Sequence, residues 1–175
     1  MNDPARSFPP IAAHDARVLI LGSMPGLASL AAGRYYAHPR NAFWPIIGQI
    51  IGIAEGAAYE TRVKALQDAG IALWDVLHSC RRRGSLDSAI ESDSIVANDL
   101  SGFLLQHPYV SRICFNGSTA ETCFRRHVSL AALPRCSPEL IRLPSTSPAH
   151  AGMNFAAKLA AWRGALGHVG KTARD

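Results

Sequence analysis

The stretch RVLILGSMPG, residues 17–26, decides the architecture. Its first part is a short apolar run that stops at Gly22, the pattern of a strand buried in a sheet. Directly after it the chain turns small and polar, so a loop opens at the strand's carboxyl end.

The same pattern recurs three times, in IALWDV (71–76), SRICFNG (111–117) and ELIRL (139–143). Helical stretches separate the runs. NAFWPIIGQIIG (41–52) has apolar residues at helical spacing, with Asn41 as its expected N-cap and Pro45 tolerated in the first turn. AAYETRVKALQDAG (57–70) is amphipathic and closes at Gly70, and residues 94–107 read as a third helix. STAETCFRRH (118–127) starts with Ser118 and Glu121 at capping-box spacing, and AGMNFAAKLAAWRGALG (151–167) is the last long helix. Strands alternating with helices imply crossovers that return over a parallel sheet. The expected fold is α/β, a three-layer α/β/α arrangement around a central four-stranded parallel sheet. One domain spans residues 1–175, with an ordered core at about 16–167 and frayed tails outside it.

Composition narrows the function. With 18 Lys+Arg against 13 Asp+Glu, the net charge is +5, a modest excess that would attract a polyanion if it clustered on one face. Arginine dominates it, since only Lys64, Lys158 and Lys171 are lysines. Cys80, Cys114, Cys123 and Cys136 form no C-x-x-C pair, which argues for reduced thiols and against a zinc ribbon. No apolar run is long enough to span a bilayer and the first residues are polar and Pro-rich, so a cytoplasmic protein is expected. Dinucleotide and P-loop glycine motifs are missing, as are a complete G-x-S-x-G elbow and the zinc deaminase pattern.

Ligands of such sheets bind beyond the carboxyl ends of the strands. Four stretches lie there: GSMPG (22–26), Asp75, NGS (116–118) and LPSTSPAHAG (143–152). They offer backbone amides and hydroxyls suited to phosphate oxygens, and RYYAHPRNAFW (34–44) adds tyrosines suited to a stacked base.

Taken together, GSMPGLASLAAGRYYAHPRNAFW (22–44), GIALWDVLHSCRRRGSLDSAI (70–90), FNGSTA (115–120) and LPSTSPAHAG (143–152) resemble the mismatch-specific uracil-DNA glycosylases, and within that superfamily the hypoxanthine-DNA glycosylase branch. The resemblance covers residues 17–165. It implies an enzyme that flips a deaminated base out of DNA and hydrolyses its N-glycosidic bond, with hypoxanthine favoured and no lyase step, since no lysine lies in a motif loop.

Residue roles follow from the same resemblance. Tyr36 would stack on the flipped base, while Tyr35, Phe43 and Trp44 pack the loop and helix. Related branches place Asp or Asn in the first loop, where this chain has Met24; the resemblance therefore assigns the attacking water to Asn41 and leaves Met24 in the pocket wall. The other reading of Asn41 is a helix cap alone. Asp75 would read the base edge, or cap the segment after its strand. Asn116 would contact the base, or close the turn before Gly117. Ser145, Thr146 and Ser147 would bind phosphates, with Ser23 and His38 also near DNA; His150 would contact the leaving group or the inserted loop; Arg81 and Arg82 would line the DNA groove. Neither cofactor nor metal is implied, and the expected partner is DNA containing deaminated bases, met by a monomer. The alternatives are a G:U/G:T mismatch-specific uracil/thymine-DNA glycosylase, a non-catalytic nucleotide or lesion-binding α/β module and, more remotely, a small-molecule hydrolase.

Overall fold

The computed structural model describes residues 4–129, 131 and 137–167. Along the chain lie β1 (Ala5–Arg6), β2 (Val18–Gly22), α1 (Leu27–Ala32), α2 (Phe43–Ile51), α3 (Tyr59–Asp68), β3 (Ile71–Asp75), β4 (Leu77–Cys80), β5 (Val96–Ala97), α4 (Leu100–Gln106), β6 (Arg112–Asn116), α5 (Ser118–His127), β7 (Glu139–Leu143) and α6 (Phe155–Leu166). Two 3-10 turns, Asp87–Ala89 and Ser92–Ser94, fall between β4 and β5.

Four strands form the central sheet in the order β3-β2-β6-β7, every neighbouring pair parallel. Strand alternation divides the apolar side chains of β2 between two cores. Val18 and Ile20 pack with Phe43, Ile46, Leu66 and Trp162 of α2, α3 and α6. Leu19 and Leu21 pack with Phe103, Leu104 and Phe124 of α4 and α5. The sheet is thus covered on both faces, giving the three layers that its largely apolar strands require, while the edge strand β7 leaves Glu139 and Arg142 exposed.

Three expectations are corrected. First, the N-terminal segment is docked, not frayed, from β1 onward. Ala5 and Arg6 pair antiparallel with Cys80 and Ser79, Ile11 and Leu73 exchange two backbone hydrogen bonds of 2.8 Å, and the Trp74 indole donates to the Phe8 carbonyl at 2.9 Å. Because β3 is the edge of the main sheet, its outer backbone groups need a partner, and the segment before β2 supplies one. The C-terminal tail beyond 167 and Cys136 lie outside the described residues.

Second, the helix read over 94–107 begins only at α4. Val96 and Ala97 pair with β4 instead, completing a small antiparallel sheet β1-β4-β5, and Asp99 caps α4 by accepting from the Gly102 amide at 2.8 Å. Third, α5 has no capping box. Its N-cap is Gly117 at φ 97°, where a Cβ would come within 3.0 Å of Ser145 Cβ. Glu121 pairs with Arg125 and Arg142. The short helix α1 had no counterpart in the sequence reading.

Candidate active site

The carboxyl ends of β2, β3 and β6 and the loop after β7 surround a cavity of about 370 Å³. Its wall contains Ser23, Met24, Tyr36, His38, Asn41, Asp75, Asn116, Ser145, Thr146, Ser147 and His150. Parallel strands ending at one level bring together stretches that are far apart in sequence.

At the floor, Gly22 of β2 lies opposite Asp75 of β3. A Cβ at position 22 would collide with Asp75 Oδ1 and crowd the Tyr36 hydroxyl, so glycine is what lets both groups approach the strand. Asp75 is 3% exposed. Its main-chain carbonyl accepts from Asn98 Nδ2 at 2.9 Å, whereas carboxyl Oδ2 has no hydrogen-bond partner. Burial and then the nearby Asp87 carboxylate push the Asp75 carboxyl up to about 8, against the opposing pull of Arg82.

Tyr36 is the only non-glycine residue at positive φ among the described residues, at 55°, a backbone state that a β-branched side chain would tolerate poorly. Its ring stacks on Phe43 with centroids 4.0 Å apart and planes 22° from parallel. The hydroxyl is buried without a partner, and burial followed by Asp75 pushes its pKa above the usual phenol range. Tyr35 and Trp44 pack beneath it. The Trp44 indole donates to the Tyr35 carbonyl at 2.9 Å, and the Tyr35 hydroxyl donates to the Pro9 carbonyl at 3.1 Å.

Asn41 stands one residue before the helix N-cap, which is Ala42. Asn41 Oδ1 accepts from the Phe43 amide at 3.0 Å, so the side chain shapes the helix entrance although it is not itself the N-cap. Asn41 also lines the cavity, and the bond to Phe43 leaves its amino group and a second lone pair uncommitted. His38 fixes the preceding turn, its Nδ1 accepting from the Arg40 amide at 3.1 Å and its carbonyl from the Asn41 amide at 2.9 Å.

Asn116 and Thr146 bind each other twice, and Thr146 is only 1% exposed. Thr146 therefore cannot reach a phosphate in this conformation, which corrects its expected DNA contact. Ser145 and Ser147 accept from the Ser147 and Ala149 amides, both at 3.2 Å, and shape the loop. His150 is exposed, and its carbonyl accepts from Lys158 Nζ at 2.8 Å.

The arginines divide. Arg81 lies exposed in ion pairs with Glu91 and Asp93. The Arg82 side chain is 1% exposed, its Nη1 3.7 Å from Asp87 Oδ1, and its Nη2 donates to the Pro25 carbonyl. The expectation that Arg82 lines a DNA groove is corrected: its guanidinium is buried beside the half-buried Asp87 carboxylate and the Pro25 carbonyl. Ser23 is also occupied, donating to the two Asp87 oxygens at 2.8 and 2.9 Å. Asp87, on the cavity wall, escaped the sequence reading. A lone acid just after RRRGS, the densest positive run, was the available signal.

The family profile described as Uracil DNA glycosylase superfamily matches residues 9–166. The chain belongs to the uracil DNA glycosylase superfamily. Among superfamily relatives it is 40% identical over 116 residues to a protein of Methanosarcina acetivorans named Hypoxanthine DNA glycosylase, covering 66% of this chain and 72% of that one. A protein of Methanosarcina barkeri with the same name is 37% identical over 113 residues, covering 64% and 70%. A solution NMR structure from Methanosarcina acetivorans, described as a candidate uracil DNA glycosylase, aligns with TM-score 0.77 and 33% identity over 95% of this chain and 99% of that one. The three-layer fold is therefore that of a superfamily member. Among the described residues, no helix is long and apolar enough to cross a membrane, and no group of His, Cys, Asp and Glu could hold a metal ion.

Proposed function

We propose that this chain is a monofunctional DNA glycosylase that excises deaminated bases, hypoxanthine first, from DNA. The observation that carries the proposal is one cavity holding an aromatic ledge, a carboxamide and a buried carboxyl at the strand ends, in a chain whose relatives are named Hypoxanthine DNA glycosylase.

A base stacked in a duplex is out of reach, so it must be extruded. Tyr36, backed by Phe43, offers a stiff ring for the flipped base, which regains about 1–3 kcal/mol of stacking. Asn41 holds the water that attacks C1′ as the glycosidic bond opens; a carboxamide suffices because an oxocarbenium-like centre needs a positioned nucleophile more than a strong base. Asp75 meets the base edge at the floor. The loop formed by residues 144–150 lies against the DNA backbone, with Ser145, Ser147 and His150 facing it. Lys64 pairs with Asp68 on α3, and Lys158 bonds the His150 carbonyl. Neither lines the cavity. The chemistry is therefore proposed as hydrolysis without a lyase step, by a monomer in the cytoplasm.

Incubating the protein with labelled duplexes containing deoxyinosine, deoxyuridine or no lesion, then cleaving abasic sites with alkali, tests this. Strand breaks at deoxyinosine support the proposal, and breaks chiefly at deoxyuridine assign the chain a uracil preference. Tight lesion binding without breaks would replace the enzyme by a sensor.

A further inference from the structure

The proposed reaction leaves open how the purine departs from a pocket that contains two carboxyl groups. An N9–C1′ bond that breaks heterolytically places negative charge on the base. Two ionised carboxylates beside it would oppose that step.

The two groups have different surroundings. Asp87 receives both Ser23 hydroxyl contacts, at 2.8 and 2.9 Å, and faces the Arg82 guanidinium at 3.7 Å. Asp75 receives no donor at Oδ2, although that atom is buried, and its backbone is held by Asn98 and by the register with Gly22. We propose that Asp87 keeps the single negative charge of the pair while Asp75 stays protonated and serves as the general acid for the departing purine. This rests on the deoxyinosine reading above. Asp75 is the catalytic residue, and Asp87 a positioning residue that acts through it.

In the step itself, the Asp75 O–H proton moves to N7 of hypoxanthine, an acceptor on the purine's outer edge. The electrons of the N9–C1′ bond remain with the base, which leaves neutral. The water held by Asn41 bonds to C1′ and releases its proton to solvent, and the Asp75 carboxylate takes a proton back from solvent. Charge and atoms balance as a hydrolysis.

The electrostatics agree with this division. Burial, then Asp87, lifts the Asp75 carboxyl to about 8. Asp87 is also lifted by burial but is pulled back by Ser23, Arg82 and Thr119. Tyr36 and Tyr35 also face Asp75, and both hydroxyls have their pKa values raised, first by burial and then by Asp75, so both stay protonated. Deprotonating Asp75 should therefore switch the reaction off.

Single-turnover excision of deoxyinosine, followed from about pH 5 to about pH 10, tests the pair. The wild-type rate is expected to fall about tenfold per pH unit above about 8. Asp87→Asn removes the charge that raises Asp75, so its alkaline break should move to lower pH by about one unit. Asp87→Ser removes the same charge, should move it the same way, and serves if Asp87→Asn fails to fold. Asp75→Asn should lose about a hundredfold or more at neutral pH. On 7-deazadeoxyinosine, which lacks the N7 acceptor, wild type and Asp75→Asn should differ by no more than about threefold.

A break that stays in place in the folded Asp87→Asn or Asp87→Ser variant overturns the proposal. So does a break that survives in Asp75→Asn, which would belong to the titrating substrate, or an undiminished Asp75→Asn penalty on the 7-deaza substrate. Absence of deoxyinosine excision by wild type at every pH would instead remove the functional reading on which it rests.

Discussion

Asn116 and Thr146 hold each other through two hydrogen bonds of 2.9 Å, one from the Asn116 amino group to Thr146 Oγ1 and one from the Thr146 amide to Asn116 Oδ1. Thr146 also accepts from the Ala42 amide at 3.0 Å through its carbonyl. The end of β6, the loop after β7 and the entrance of α2 are thereby tied together, and Asn41 sits at that junction. Asn116→Ala strands a buried hydroxyl and a buried amide, and should cost about 2 kcal/mol in urea denaturation. Excision should fall with it, and an unchanged denaturation midpoint would separate the clamp from stability.

Asn41 has two separable duties. Its bond to the Phe43 amide resembles a capping interaction, so Asn41→Ala should lose about 1 kcal/mol of stability. Asn41→Ser retains an acceptor near that amide and should recover most of it. Turnover should stay about a hundredfold or more below wild type in both. A fully active, stable Ser variant would take Asn41 out of the chemistry.

The Tyr36 ring and hydroxyl also separate. Because the hydroxyl is buried without a partner, Tyr36→Phe should be neutral or stabilising by about 1 kcal/mol and keep excision within about threefold, since the Phe43 stack remains. Tyr36→Ala should weaken excision at least about tenfold. Thermal melts and single-turnover rates on the same preparations check both.

Neighbouring arginines should respond in opposite ways. Arg82→Ala removes the guanidinium's bond to the Pro25 carbonyl and deprives the half-buried Asp87 of its cation, and should cost about 2 kcal/mol, while the salt dependence of DNA affinity stays as in wild type. Arg81 is exposed, and Arg81→Ala should leave the melting temperature unchanged. A reduced salt slope in Arg82→Ala would place its guanidinium on a phosphate.

Asp75 makes folding stability depend on pH. Its carboxyl ionises near 3.8 when unfolded and near 8 in the fold. The stabilisation of the protonated form is complete below the lower value and is lost as pH rises through the higher one. Asp75→Asn, neutral at every pH, should therefore gain melting temperature relative to wild type on going from acidic to mildly alkaline buffer. A constant difference between the two proteins would mean that Asp75 ionises as freely in the fold as out of it.

The four strands of the main sheet were legible in the sequence because a strand covered on both faces is a short, largely apolar run, a local property that even the edge strand ELIRL keeps at Leu140, Ile141 and Leu143. Chain direction then pointed to the loops after them, which line the cavity. The docked N-terminal segment was not legible: Ala5–Arg6 is too short to carry a pattern, and its pairing is created by the exposed edge of another strand. Likewise, Ser118 and Glu121 matched a capping box, yet the close approach of Ser145 to Gly117 set the helix entrance.

Sequence alone therefore indicated the layered architecture and the end of the sheet at which the cavity lies, since both depend on apolar periodicity and chain direction. Tertiary structure decided which polar side chains are free to act. Ser23 is occupied by an aspartate 64 residues away, Arg82 turns inward toward the same group, and Asn116 is taken up by Thr146. Burial and ionic pairing arise between distant parts of the chain, and no local pattern encodes them.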